Sequence, residues 1–433
     1  MTNDPRERRL ARTDPAHDPD LHEAHVETAE AVARDARLRG APPAPGGRPQ
    51  ALDPDQHYVS DEPYDEAADL LALDRADLDA PTWMLIWRRF LRHRLAVISG
   101  AFLALIYLAL PFIGFLAPYD ANTRNADRIF APPQSVELWH EGRFVGPFVY
   151  PATETFDTET FQMVSVVDRE TPAPLRFLQG CGEPHRFLGV LETNFRVLCP
   201  PETVEFYWLG TDRLGRDVFS RILWGAQLSL TVGIIGVTVS FGIGLLLGGF
   251  AGFFGGWLDA AVSRAIEVTR SLPELPIWLA LSAAIPATWG PVSVFFMISI
   301  ILGLLDWPGL ARAVRSKFLA LREEDYVKAA QLMGASPKRI IGAHMIPNFM
   351  SHLVASATLA IPTMILGETA LSFLGLGLRP PAVSWGLMLN DALDLTVVEI
   401  YPWLLLPLVP VMLVVLAFSF LGDGLRDALD PYS

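Results

Sequence analysis

Long, nearly charge-free runs of apolar residues alternate with polar stretches along this chain. A helix needs about 20 apolar residues to cross a bilayer core. By that measure six spans are predicted, at about Leu95–Leu116, Ala226–Phe253, Ala265–Ile285, Val292–Ala313, Phe349–Leu374 and Glu399–Leu421. The expected fold class is an all-α integral membrane protein with six transmembrane helices. Glycines crowd the second span (Gly233, Gly236, Gly242, Gly244, Gly248, Gly249), where small residues let helices approach closely in lipid. Pro362, Pro407 and Pro410 fall inside spans and are expected to mark kinks. Ahead of the first span, Trp83–Arg94 mixes aromatic and aliphatic residues with four arginines, the pattern of an amphipathic helix on the membrane surface.

Two polar stretches interrupt this pattern. Tyr119–Leu223 is too long for a simple connection. It holds short aromatic and β-branched runs, Arg143–Tyr150 and Phe161–Val167, separated by Pro and Gly. A small β-rich module outside the membrane is expected. Residues 1–80 hold nine Arg against nineteen Asp or Glu, plus the linker Ala41-Pro-Pro-Ala-Pro-Gly-Gly. They read as an acidic, mostly disordered arm. The chain thus divides into the arm (1–80), a surface helix and first span (81–118), the insert with an amphipathic helix (119–223) and a transmembrane core (224–427).

Charge sets the orientation. Arginines upstream of the first span place the N-terminus inside by the positive-inside rule, and six spans then put the C-terminus inside as well. The first span is expected to act as its own insertion signal. The loop between spans four and five falls in the cytoplasm and carries Arg312, Arg315, Lys317, Arg322, Lys328, Lys338 and Arg339. The net charge of -14 argues against a nucleic-acid partner. Cys181 and Cys199 enclose seventeen residues of the insert. In an oxidising compartment they are candidates for one disulfide, worth about 3 kcal/mol.

The cytoplasmic loop, residues 322–348, predicts a short helix–turn–helix. Glu323–Met333 has acidic residues in its first turn, Gly334 breaks it, and Ser336-Pro337 restarts a helix that Pro347 is expected to end. Shape alone leaves two readings open, a tip seated in another protein and a connector resting on headgroups. The sequence then adds a match. Lys328-Ala329-Ala330, Gly334, His344, Ile346 and Pro347 fall at the spacing of the EAA loop in permease subunits of ATP-binding-cassette importers, which this segment resembles. Lys328 stands where that pattern has Glu, and His344 where it has Ile. Leu209–Arg221, Glu368–Gly377, Pro380-Pro381, Ser384–Gly386 and Leu421–Asp430 are similar to the dipeptide, oligopeptide and nickel C-type subfamily.

The resemblance implies the ABC type-1 permease fold in a bacterial cytoplasmic membrane. It implies a translocation path shared with a second permease subunit, two ATPase subunits that bind ATP, an external solute-binding protein and a peptide-like substrate. It also implies that Tyr326, Lys328, Ala329, Ala330, Gly334, His344 and Pro347 engage the ATPase. The chain itself has no G-x-x-x-x-G-K-[ST] phosphate loop, no H-E-x-x-H and no G-x-S-x-G, so no catalytic, cofactor or metal residue is expected in it. Glu267 and Glu368 are path candidates because charges within spans favour the bundle interior or water. Glu267 is expected to pair with Arg270. The charges of Gly210–Arg221 suggest a short helix on the outer surface with internal ion pairs. An ion-gradient transporter and an ABC exporter are the rival classes; no internal repeat supports the former.

Overall fold

The computed structural model describes residues 82–157, 162–187, 191–201 and 204–429. The acidic arm lies outside the described residues. Helix α1 (Thr82–Arg92) leads through the His93 cap into α2 (Arg94–Ala109), which a 3-10 turn joins to α3 (Ile113–Leu116). After the insert come α4 (Val218–Phe254), α5 (Gly256–Ser271), α6 (Glu274–Ala283), α7 (Pro291–Arg322) and α8 (Asp325–Leu332). Then follow α9 (Pro337–Arg339), α10 (Ile346–Phe373), α11 (Trp385–Asn390), α12 (Leu395–Ile400) and α13 (Leu408–Leu429).

Among the described residues, five helical stretches are long and apolar enough to cross a membrane: Arg94–Leu116, Val218–Phe254, Pro291–Arg322, Pro337–Phe373 and Pro402–Leu429. The expected third span, Ala265–Ile285, is not one helix. Leu272 and Pro273 take extended backbone between α5 and α6. The cause is local, because a proline ring disfavours helical backbone in the residue before it. The last span also shifts. A 3-10 turn at Pro402–Leu405 precedes α13, so Pro407 lies before the helix and Pro410 in its first turn, where no kink is needed.

Helices α4 and α7 pack along their length because small residues line the seam. A Cβ on Gly252 would lie 2.6 Å from the Phe318 side chain, and one on Gly248 would meet the Ala311 backbone. Val232, Ile298, Leu302, Met364 and Leu371 form the core between α4, α7 and α10. Leu103, Leu230, Ile365, Val414 and Phe418 bind α2 and α13 to it. Leu95, Ile98, Leu105 and Leu108 on α2 stay exposed, as do Met412, Leu413 and Leu416 on α13. Such apolar surface suits lipid contact.

Within the insert, β1 (Glu137–His140), β2 (Arg143–Val149) and β5 (Ala173–Pro174) form one antiparallel sheet. β3 (Ala152–Asp157) pairs with β4 (Gln162–Val167), and β6 (Arg176–Phe187) with β7 (Leu191–Cys199). A Cys181–Cys199 disulfide staples the last hairpin. Arg196 of β7 is 2% exposed and donates hydrogen bonds to the carbonyls of Ala117, Cys181 and Glu183. It thereby fastens the hairpin to the end of the first apolar stretch.

Candidate coupling loop and buried polar clusters

The loop between α7 and α10 is a packed helical hairpin. Glu324 starts α8, with its backbone carbonyl accepting from Val327 and Lys328 N–H. Val327 and Ala330 turn inward onto Leu310, Val314, Phe318, Ile340 and Met345. The alanine pair is therefore split, with Ala330 buried and Ala329 exposed. At the end of α8, Ala335 N–H bonds the Ala330 carbonyl (3.1 Å) and Gly334 N–H the Gln331 carbonyl (2.9 Å). This is a Schellman closure, whose left-handed position glycine fills at φ +78°. A Cβ on Gly334 would meet nothing within 4 Å, so the need for glycine is conformational and not steric.

The second half departs from expectation. Pro337 takes the first position of α9, but the Ser336 hydroxyl makes no capping bond; only its backbone carbonyl is used, by Ile340 N–H. Nor does Pro347 end a helix. Helical structure runs without a break from Pro337 to Phe373. A π-helical segment, Ile340–Met345, sits just ahead of Pro347. Widening the turn makes room for a ring that would otherwise strike the carbonyl one turn back.

Other candidate residues of the loop gather around this joint. Asn348 Nδ2 donates to the Tyr326 hydroxyl (2.9 Å) and to the His344 carbonyl (3.2 Å). Lys328 pairs with Glu323 at 3.4 Å on the exposed side. The tip itself is apolar, with Leu332 89% and Met333 81% exposed. These two residues were missed in the sequence. The available signal was a pair of large apolar side chains immediately before a helix-ending glycine.

Glu368 on α10 is fully buried. Ser229 of α4 donates to its Oε2 (3.3 Å) and accepts Trp385 N–H (3.1 Å). Ser372 donates to its Oε1 (2.7 Å) and accepts Leu378 N–H (3.0 Å). One carboxyl thus fastens the segment after α10, through two serines, to α4 and α10. Glu267 is exposed on α5 and pairs with Arg264 (2.8 Å), not with Arg270.

Gly210–Asp217 forms a turn and not the expected surface helix, and Val218–Arg221 is the first turn of α4. The ion pairs of this segment are buried. Asp212 accepts from Leu214 N–H (2.8 Å), Arg216 N–H (3.0 Å) and Arg216 Nε (2.7 Å), and it pairs with Arg221. Arg213 reaches Asp391 at 2.8 Å. Burial pushes the Asp391 carboxyl up, against the pull of Arg213. Asp217 caps α4 through Ser220 N–H (2.8 Å), and burial raises its pKa to about 6. A carboxyl raised in the folded state contributes stability below its unfolded pKa, near 4, and loses it as pH rises through about 6. Asp217→Asn, which also caps well, is expected to flatten that dependence. Melting temperatures of both proteins in detergent at pH 5 and pH 7.5 check this; parallel losses would reject it.

Residues 244–432 match the model of the binding-protein-dependent transport system inner membrane component. Residues 82–133 match the N-terminal transmembrane domain of oligopeptide transport permease C. A peptide permease protein of Brucella suis is 42% identical over 227 residues, covering 52% of this chain and 73% of the relative. The chain belongs to this family of transport permeases. A C-type member, the dipeptide transport system permease protein DppC of Alkalihalophilus pseudofirmus, is 42% identical over 226 residues, 52% of this chain and 72% of DppC. The glutathione transport system permease protein GsiD of Pectobacterium atrosepticum is 32% identical over 350 residues, 81% of this chain and 91% of GsiD. An inward-facing MetNI methionine ABC transporter structure aligns with a TM-score of 0.38 at 20% identity, over 49% of this permease and 97% of that chain.

Proposed function

We propose that this permease is one of two membrane subunits of an ATP-driven importer of peptides or similar small solutes in a bacterial inner membrane. The observation that carries the reading is the packed helical loop that presents Leu332 and Met333 at its tip. Its base is packed into the core while its apolar tip is bare. Such a tip suits a groove on an ATPase subunit, and its packed base would pass the ATPase motion into α7 and α10. Two such ATPase subunits bind and hydrolyse ATP, a second permease subunit completes the path, and an external solute-binding protein delivers the substrate. The names of DppC and GsiD favour dipeptides and glutathione-like peptides.

The orientation we favour has six crossings and both termini cytoplasmic. α5 and α6 together supply the third crossing despite their break. Asp259 of α5 pairs with Arg315 near one end of α7, while Trp278 of α6 packs on Gly367 and Ser282 bonds the Leu376 carbonyl near the other. The insert then lies outside, where a disulfide persists. Cys181→Ser is expected to lower the local stability of the insert by about 3 kcal/mol, from the loop entropy a cross-link removes. Limited proteolysis of the intact permease checks this, and an unchanged cleavage rate at the β6–β7 hairpin would reject it.

The test of the whole reading is reconstitution. The permease, expressed with its partner permease and ATPase subunits, should co-purify with them and take up labelled peptide into vesicles only with ATP and binding protein present. Uptake driven by an ion gradient without ATP would overturn it.

A further inference from the structure

We infer that the cytoplasmic end of the bundle holds a binding site for an anionic phospholipid of the inner leaflet. A cavity of about 1060 Å³ opens there between α1, α7, α10 and α13. Lys317 of α7, His352 of α10, Arg426 of α13 and Arg89 of α1 all line it. Neither Lys317 nor Arg426 joins an ion pair among the described residues. Among the described residues, no carboxylate lines the cavity. Lys317 and Arg426, from separate helices, repel each other across the cavity, so an anion between them lowers the energy of the arrangement.

The rest of the lining selects the kind of anion. Leu85, Ile86, Phe349, Leu359 and Leu429 give the cavity an apolar wall beside its basic one. Phe349 and His352 stack at 4.8 Å, which joins the two walls. A phosphate head with acyl chains satisfies both. A peptide in transit satisfies them poorly, because its ammonium would find no carboxylate among the described lining residues. The depth also fits, in the orientation proposed above. Lys317 lies within two turns of the end of α7, and Arg426 lies in the last turn of α13. α1, whose arginines and apolar residues suit a membrane surface, forms the rim. The site is independent of which solute is carried.

The test uses the full-length permease in detergent, stripped of lipid and titrated with phosphatidylglycerol or phosphatidylcholine under native mass spectrometry. Phosphatidylglycerol should bind and phosphatidylcholine should not. Basic residues near anionic lipid each contribute enough that the double variant Lys317→Gln/Arg426→Gln should bind phosphatidylglycerol roughly thirtyfold more weakly. The charge-keeping variant Lys317→Arg/Arg426→Lys should bind as the parent does, which guards against misfolding of the neutral one. Equal binding of both lipids, or of parent and double variant, would overturn the proposal. So would displacement of the lipid by inorganic phosphate alone, which would make the site one for free phosphate. Displacement by short peptides would assign the cavity to the translocation path instead. Loss of the retained lipid on assembly with the partner permease would make the cavity a subunit interface.

Discussion

Replacing Leu332 and Met333 together by glutamate is expected to abolish ATP-driven uptake while leaving the permease folded and inserted. Their side chains are bare, so the fold loses almost no contact with them. In an assembled transporter the same side chains would be covered. Burying a Leu or Met side chain is worth about 1.5–3 kcal/mol, and a carboxylate in its place adds a desolvation cost. The two changes together exceed what most transient interfaces can lose. The measurement is co-purification of the ATPase with the variant, alongside peptide uptake in vesicles. Normal uptake by the double variant would remove Leu332 and Met333 from the docking surface. Gly334→Ala offers a milder comparison. It retains the tip but forces a non-glycine residue into the left-handed region, at about 1 kcal/mol. A partial loss of coupling is the expected result.

The second large effect concerns folding. Asp212→Ala is expected to destabilise the permease by about 3–5 kcal/mol, because it leaves Arg216 and Arg221 buried without their shared carboxylate. The side chains of all three are at most 5% exposed, so water does not make good the loss. Asp391 also pairs with both arginines, but at 4.0 Å from Arg216 and 3.9 Å from Arg221 it makes neither of the close hydrogen bonds that Asp212 supplies. The variant should reach the membrane in low yield and melt well below the parent in detergent. A melting temperature within error of the parent would show that Asp391 or lipid compensates. Replacing Asp212, Arg216 and Arg221 together by apolar residues of similar volume should recover part of the loss, since breaking a buried ion pair costs more than removing it whole.

How far the sequence led depends on the range of each interaction. Long apolar runs are local, and the stretches that became α2, α4, α7, α10 and α13 were legible for that reason. The break at Leu272-Pro273 was also written locally, but a run of apolar residues on both sides masks two extended positions when hydrophobicity is read in blocks. The loop was legible because its spacing is local, and its Schellman turn needs little beyond Gly334. What the sequence could not display was partnership at a distance. Ser229 and Glu368 are 139 residues apart, and nothing in either segment announces that they meet. Asp212 and Asp391 gather around the same arginines in the same way. The charges of Gly210–Arg221 suggested helical spacing, yet Asp212 satisfies the backbone of Leu214 and Arg216 directly, which stabilises a turn in place of a helix. Glu267 was a candidate by its charge alone, and its exposed pair with Arg264 gives it no partner in the core.

The unbroken helical run from Pro337 to Phe373 has a mechanical consequence. At 1.5 Å per residue its 37 residues make a rod of about 55 Å. One end carries the loop, and the far end carries Glu368 and the serines that hold the segment after it. Two places interrupt the rod's regular bonding: the π-helical turn Ile340–Met345 at the loop end, and Pro362, which lacks the N–H that a helix interior uses. A push on the loop would reach Glu368 only through Pro362, whose missing hydrogen bond is where the rod can bend. In the orientation proposed above, a single shaft would gear the two membrane faces to each other, with its compliance divided between the π-helical turn and Pro362.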